Sequence, residues 1–184
     1  MTILGIRVLG DPVLRKETEP VSEVTDDLRV LIADMFDTMH AAEGIGLAAP
    51  QVGRTERVAV VDVDGEKHAL INPEIIAREG SARGEEGCLS IPEIFGDVDR
   101  ATRVVVRATD EDGKTVEVEA TELLARCIQH EIDHLDGKLF IDYLSVLKRR
   151  SALSKWDRLK GEYAGFIRRV SLEPRGPQHS EGEL

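Results

Sequence analysis

The sequence predicts an α+β fold in which antiparallel β-sheets pack around a central helix, with one helix before them and one after. Three observations carry that expectation. Two hairpins rich in β-branched residues turn at Asp64 and Gly65 and again at Asp112 and Gly113, an amphipathic helical stretch precedes them, and two more helical stretches follow. The 184 residues suit one domain over 1–170. A polar stretch rich in Pro, Gly and charge, 171–184, is expected to be a disordered tail.

The first helix is predicted from Thr25 to about Ala42, where Leu28, Leu31, Ile32, Met35, Phe36 and Met39 recur at helical spacing. Thr25 is its N-cap, and Asp26 and Asp27 suit the positive end of the helix dipole. Gly44 and Gly46 stop it, and GIGLAAPQVG reads as a loop. Strands are predicted over Arg57–Val63, over His68–Pro73, and in two arms across Arg103–Ala120. Between the hairpins, SARGEEGCLSIPEIFGDVDR promises at most a short strand and places Cys88 on an irregular segment. The central helix starts at Thr121 as its cap and ends at Gly137. A last helical region runs from about Ser145 to Val170.

Composition narrows the function classes. With 41% hydrophobic and 32% charged residues, the chain is an ordinary globular one, and its formal net charge of -11 argues against a general DNA binder. No apolar run approaches the length that spans a bilayer, and the first residues lack a secretory cleavage pattern. Two cysteines, Cys88 and Cys127, are too few for a disulfide framework. A cytoplasmic protein without membrane contact is the expectation.

The chemistry concentrates in QHEIDH, Gln129 to His134. On a helix, His130 and His134 project from one face and can share an ion, with Glu131 beside them as a non-ligand. Leu124, Ile128, Ile132 and Leu135 line a neighbouring face and would anchor the helix in the core. The bland alternative is two ordinary histidines that fall four apart. A catalytic site of this kind needs a third protein ligand, and no Asp, Glu or His beyond Gly137 stands at a compelling spacing. Thiolates are strong ligands for divalent transition metals. Cys127, one turn before His130, is assigned to packing or pocket lining, whereas Cys88 can approach the helix from outside; its alternative role is a buried structural thiol.

Three motifs in order, GIGLAAPQ (Gly44 to Gln51), EGCLS (Glu86 to Ser90) and QHEIDH, resemble the signature set of the peptide deformylases. The likeness extends from GDPVLR through LINPEI to DHLDGKLFIDYLS, about residues 5 to 150. It implies that Cys88, His130 and His134 hold a divalent metal ion and that Glu131 is the general acid/base. A water activated by the ion would attack the formyl carbon of an N-formylmethionyl peptide, releasing formate and a free amino terminus. The resemblance implies that the Gln51 side-chain amide and the Leu89 backbone N–H stabilise the oxyanion. It further implies that the backbone at Ile45 and Gly46, with Gly87 opposite, pairs with the extended substrate like an added strand. The methionine pocket would be bounded by Ile45, Leu123, Cys127 and the edge of His130.

Arg126 departs from the apolar residue expected on this wall. Either its stem lines the pocket while its head reaches water, or side-chain specificity is altered. Asp133 beside His134, and Arg100 with Glu86, are candidate supports for the ligands. Family habit favours Fe(II), while Zn, Ni and Co suit the same donors. Between Ser145 and Val170, Lys148, Arg149, Arg150, Lys155, Arg158, Lys160, Arg168 and Arg169 outnumber Asp157 and Glu162. That imbalance fits docking to ribosomal RNA phosphates, with a solvated helix face as the alternative. The competing enzyme is a metallopeptidase that cuts internal bonds with HEIDH. The competing non-enzyme is a domain whose metal only stabilises its fold.

Overall fold

The computed structural model describes residues 2–171. The expected tail from 172 onward lies outside the described residues. The fold is α+β, as the sequence predicts. Strand β1 is Ile6–Arg7 and helix α1 is Asp26–Ala41. The Thr25 hydroxyl accepts from the Leu28 N–H, so the predicted cap is formed.

A five-stranded antiparallel sheet follows, made of β2 (Gly46–Ala48), β3 (Val58–Val63), β4 (Glu66–Glu79), β7 (Arg103–Thr109) and β8 (Thr115–Thr121), in the order β2-β3-β4-β7-β8. Asp64 and Gly65, with φ of 53° and 84°, make the two-residue turn between β3 and β4. Two positive φ values match the twist of the strands they join. Both faces of β3 are buried, which explains its nearly continuous apolar run. Val58 and Val60 pack with Ile32, Met35 and Met39 of α1, while Val61 and Val63 pack with Leu124 and Ile128 on the other side.

Helix α2, Glu122–Leu135, supplies that other side. Leu124, Ile128, Ile132 and Leu135 are all buried, as their spacing predicts, and each such side chain contributes about 1.5–3 kcal/mol by leaving water. The cap differs from expectation. Thr121 is the last residue of β8 and its side chain makes no capping bond. The far end stops at Gly137, whose φ of 70° lets Lys138 N–H reach the Asp133 carbonyl at 2.9 Å. Thr18 and Arg57 fasten this end from outside, Thr18 Oγ1 donating to the Leu135 carbonyl at 2.9 Å and Arg57 Nη1 to Asp136 at 2.8 Å.

Three further expectations need correction. GIGLAAPQVG is not all loop, because β2 pairs with β3 and a 3-10 turn covers Ala49–Val52. The segment around Cys88 is a long antiparallel hairpin of β5 (Ala82–Cys88) and β6 (Ile91–Arg100). Its α2-facing positions Gly84 and Glu86 meet polar partners from the helix, so no apolar alternation advertised a strand. The last helical region is shorter than predicted. Helix α3 is Val146–Leu159, and Gly165 at φ 65° turns the chain into β9 (Ile167–Arg168), which pairs with β1. Trp156 of α3 packs with Ile91, Ile94, Val98 and Phe140 beneath the hairpin.

Candidate metal centre

Helix α2 lies between the five-stranded sheet and the β5–β6 hairpin, and the three sequence motifs meet there. His130 Nε2 and His134 Nε2 are 3.2 Å apart, and Cys88 Sγ is 3.2 Å from His134 Nε2. One ligand atom from each of the three residues lies within 4.8 Å of the others, and all three residues are buried. Four-residue spacing aligns the imidazoles, and the turn between β5 and β6 brings the thiol to them.

Polar partners set the orientations of these side chains. His130 Nδ1 bonds Glu86 Oε2 at 2.9 Å, which leaves Nε2 facing the cluster. Arg100 grips the same carboxylate, Nε to Oε1 at 2.8 Å and Nη2 to Oε2 at 3.0 Å, and reaches Asp133 Oδ2 with Nη1 at 2.6 Å. Burial alone would push the Glu86 carboxyl up, but the His130 and Arg100 bonds outweigh it and hold the group at about 2. Glu86 with Arg100 therefore supports the cysteine hairpin, as expected. Asp133 pairs with Arg100, whereas His134 Nδ1 has no hydrogen-bond partner among the described residues. The Glu86 contact to His130 escaped the sequence reading. Glu86 sits two positions before Cys88, a strand spacing that would have signalled a shared neighbourhood had the hairpin been foreseen.

Glu131 is fully buried, and neither carboxylate oxygen has a hydrogen-bond partner among the described residues. Desolvation, with the charges of Glu86 and Asp133 adding to it, pushes its carboxyl well above the usual range. A buried, unpartnered carboxylate beside three converging donors fits a site that receives an ion and a water. Cys127 is also buried, and desolvation followed by the charges of Glu131 and Glu86 pushes its thiol well up. It stays a thiol that donates to the Ile45 carbonyl at 3.4 Å.

The Gly-rich segment closes the site. A Cβ on Gly46 would lie 2.8 Å from both Cys127 Sγ and Glu131 Cδ, and one on Gly44 would lie 2.6 Å from Leu89 Cδ1. Gln51 is fixed by accepting from Ala48 N–H at 2.8 Å, and its Nε2 lies 3.6 Å from Cys88 Sγ and 3.2 Å from Ser90 Oγ. Asp62 N–H donates to the Ile45 carbonyl at 2.8 Å, and Gly46 pairs opposite Val61. By antiparallel alternation the Gly46 N–H and C=O therefore point away from β3, to the sheet's open edge, while the Ile45 carbonyl is already used. Gly87 near the end of β5 and Leu89 on the hairpin turn are buried, and Leu123 is 47% exposed, a rim position.

The first course foreseen for Arg126, a head snorkelling out into water, is not the one observed: the side chain is only 12% exposed, and the guanidinium bonds the hairpin.

An HExxH helix faced by a cysteine from the hairpin, with a buried glutamate beside the two histidines, is an arrangement suited to metal-dependent amide hydrolysis. A family model described as polypeptide deformylase matches residues 3–150, and the chain belongs to that family, whose members remove the N-formyl group from new polypeptides. The chain is 55% identical over 163 residues to a peptide deformylase of Alkalilimnicola ehrlichii, covering 86% of this chain and 92% of that one. A crystal structure of a peptide deformylase from Legionella pneumophila matches with a TM-score of 0.85 at 48% identity, over 89% of this chain and 98% of that one. One from Ehrlichia chaffeensis in complex with actinonin matches with 0.83 at 39%, over 88% and 98%.

Proposed function

We propose that residues 1–170 form one catalytic domain that removes the formyl group from the N-terminal formylmethionine of nascent chains. Cys88, His130 and His134 hold the metal, and Glu131 moves the proton. The convergence of those three donors beside the unpartnered Glu131 carboxylate carries the reading. A divalent ion held there, Fe(II) by family habit or Zn, Ni or Co, supplies a Lewis acid that acidifies a water near neutral pH.

Glu131 accepts the proton of the attacking water and returns it to the departing amine. The Gln51 amide, pinned by Ala48 beside Cys88, and the Leu89 N–H donate to the oxyanion formed from the formyl oxygen. Gly46 on the open edge of β2, with Ile45 beside it and Gly87 opposite, receives the substrate backbone as an added strand. That mode reads main chain and tolerates many sequences. Ile45, Cys127 and the edge of His130 bound the methionine side chain, with Leu123 at the rim and Arg126 turned to the hairpin behind.

The expected setting is the cytoplasm, near the ribosome; among the described residues no helix is long and apolar enough to cross a membrane. The basic stretch offered for docking is α3 and the turns after it, not one helix to Val170. The test is formate release from a formyl-Met peptide by the metal-loaded chain, with internal bonds left intact. Cleavage inside an unformylated peptide would instead support the metallopeptidase reading.

A further inference from the structure

The guanidinium of Arg126 lies on Gly84 of β5. A Cβ built on Gly84 would meet Nη2 at 2.9 Å, Cζ at 3.0 Å and Nε at 3.2 Å, so any larger residue would displace the group from this seat. From that seat Nη2 donates to the Ala82 carbonyl at 2.8 Å, and Nη1 donates to the Val98 carbonyl at 2.9 Å and to Glu86 Oε1 at 3.0 Å. One side chain of α2 thus grips both strands of the hairpin that carries Cys88.

Arg126 and His130 are four apart, so they share a face of α2. They hold opposite oxygens of one carboxylate, Arg126 on Oε1 and His130 Nδ1 on Oε2 at 2.9 Å. Arg100 also binds Glu86, from β6 within the same hairpin, and reaches α2 through Asp133; Arg126 adds direct bonds from the helix to both hairpin strands and to the carboxylate. Arg126 fixes the carboxylate relative to the helix that carries the histidines. Arg100 already holds both oxygens of the carboxylate; without Arg126 the hairpin loses its grip from the His130 face of α2, Glu86 can shift with Arg100, and the His130 bond lengthens.

We propose that Arg126, seated on Gly84, is a positioning residue that holds Glu86 so that His130 keeps Nε2 turned toward Cys88 and His134. The proposal rests on the reading of those three residues as a metal site. It makes Gly84 and Arg126 a functional pair outside the three signature motifs.

The test is a double-mutant cycle with Arg126→Met, Gly84→Ala and both together, each loaded with zinc. Arg126→Met is expected to shift the His130 Nδ1–H proton resonance upfield and speed its exchange with water. Loss of zinc to a chelator should be about tenfold faster, and kcat about tenfold lower with KM within about threefold, the range seen when a ligand's supporting partner is removed. Gly84→Ala should give changes of the same sign by displacing the guanidinium, and the double variant should be no worse than Arg126→Met alone. An unchanged His130 resonance and zinc-release rate in Arg126→Met, even with a lowered Tm, would overturn the proposal. So would defects in the two single variants that simply add. Absence of formate release by the unaltered chain would count against the deformylase reading, and the resonance and zinc release would still decide this one.

Discussion

The α-carbon of Gly46 lies against the Glu131 carboxylate, so closely that a methyl group there would overlap Oε1 and stand 2.8 Å from Cδ. The same methyl would lie 2.8 Å from Cys127 Sγ. One glycine thus allows the edge strand and the buried acid to share the floor of the site.

Gly46→Ala should therefore move the acid, not the fold. Overpacking of this sort costs about 1–3 kcal/mol, and we expect a modestly lowered Tm with kcat reduced at least about tenfold. Calorimetry beside formate-release kinetics checks both; wild-type kcat would show that the carboxylate position is not critical.

The two cysteines should separate cleanly. Cys88→Ser is expected to bring the bound metal well below one ion per chain, because the thiolate is one of three converging donors. Cys127→Ser should keep the ion, since burial holds that thiol protonated and it donates to the Ile45 carbonyl. Metal analysis of both variants after desalting decides the assignment.

Acid stability should report Glu86. Its carboxyl is held at about 2, below its unfolded value, so its contribution is present above about pH 4.5 and lost as pH falls toward 2. The shift corresponds to stability on the order of 3 kcal/mol. Urea unfolding of the metal-free chain should lose most of that amount, about 2 kcal/mol, between pH 6 and 3, beyond any loss shown by the Glu86→Gln variant.

Gly137→Ala should loosen the end of α2 that carries His134. The position has φ 70°, and an added Cβ would meet the Arg15 carbonyl oxygen at 2.8 Å. Left-handed backbone costs an L-residue about 1–2 kcal/mol before that clash is relieved. A Tm lowered by about 2–4 °C per kcal/mol is expected by calorimetry.

Where local rules and packing agree, the sequence was readable. Thr25 caps α1, Asp64 and Gly65 make the turn they spell, and Leu124, Ile128, Ile132 and Leu135 bury the stripe that defines α2. The β5–β6 hairpin was not readable, because its α2-facing side chains include Glu86, bonded by ions from other elements, and Gly84, covered by a guanidinium. Such a strand is fixed by tertiary partners and leaves no apolar period. For the same reason HExxH could be read from spacing alone, while the Glu86 bond to His130 needed the hairpin first. The helix after Ser145 was overextended because its charge pattern continues past Leu159, where Gly165 and the pairing of β9 with β1 take over.

The central claim is that Glu131 performs the proton transfer at an ion held by its neighbours. The direct measurement is metal content paired with formate release from a formyl-Met peptide, for the anaerobically purified chain and its Glu131→Gln variant. The account expects about one ion per chain in both, with turnover lower by at least about 10²-fold in the variant. Unchanged turnover in a metal-loaded Glu131→Gln chain would contradict it.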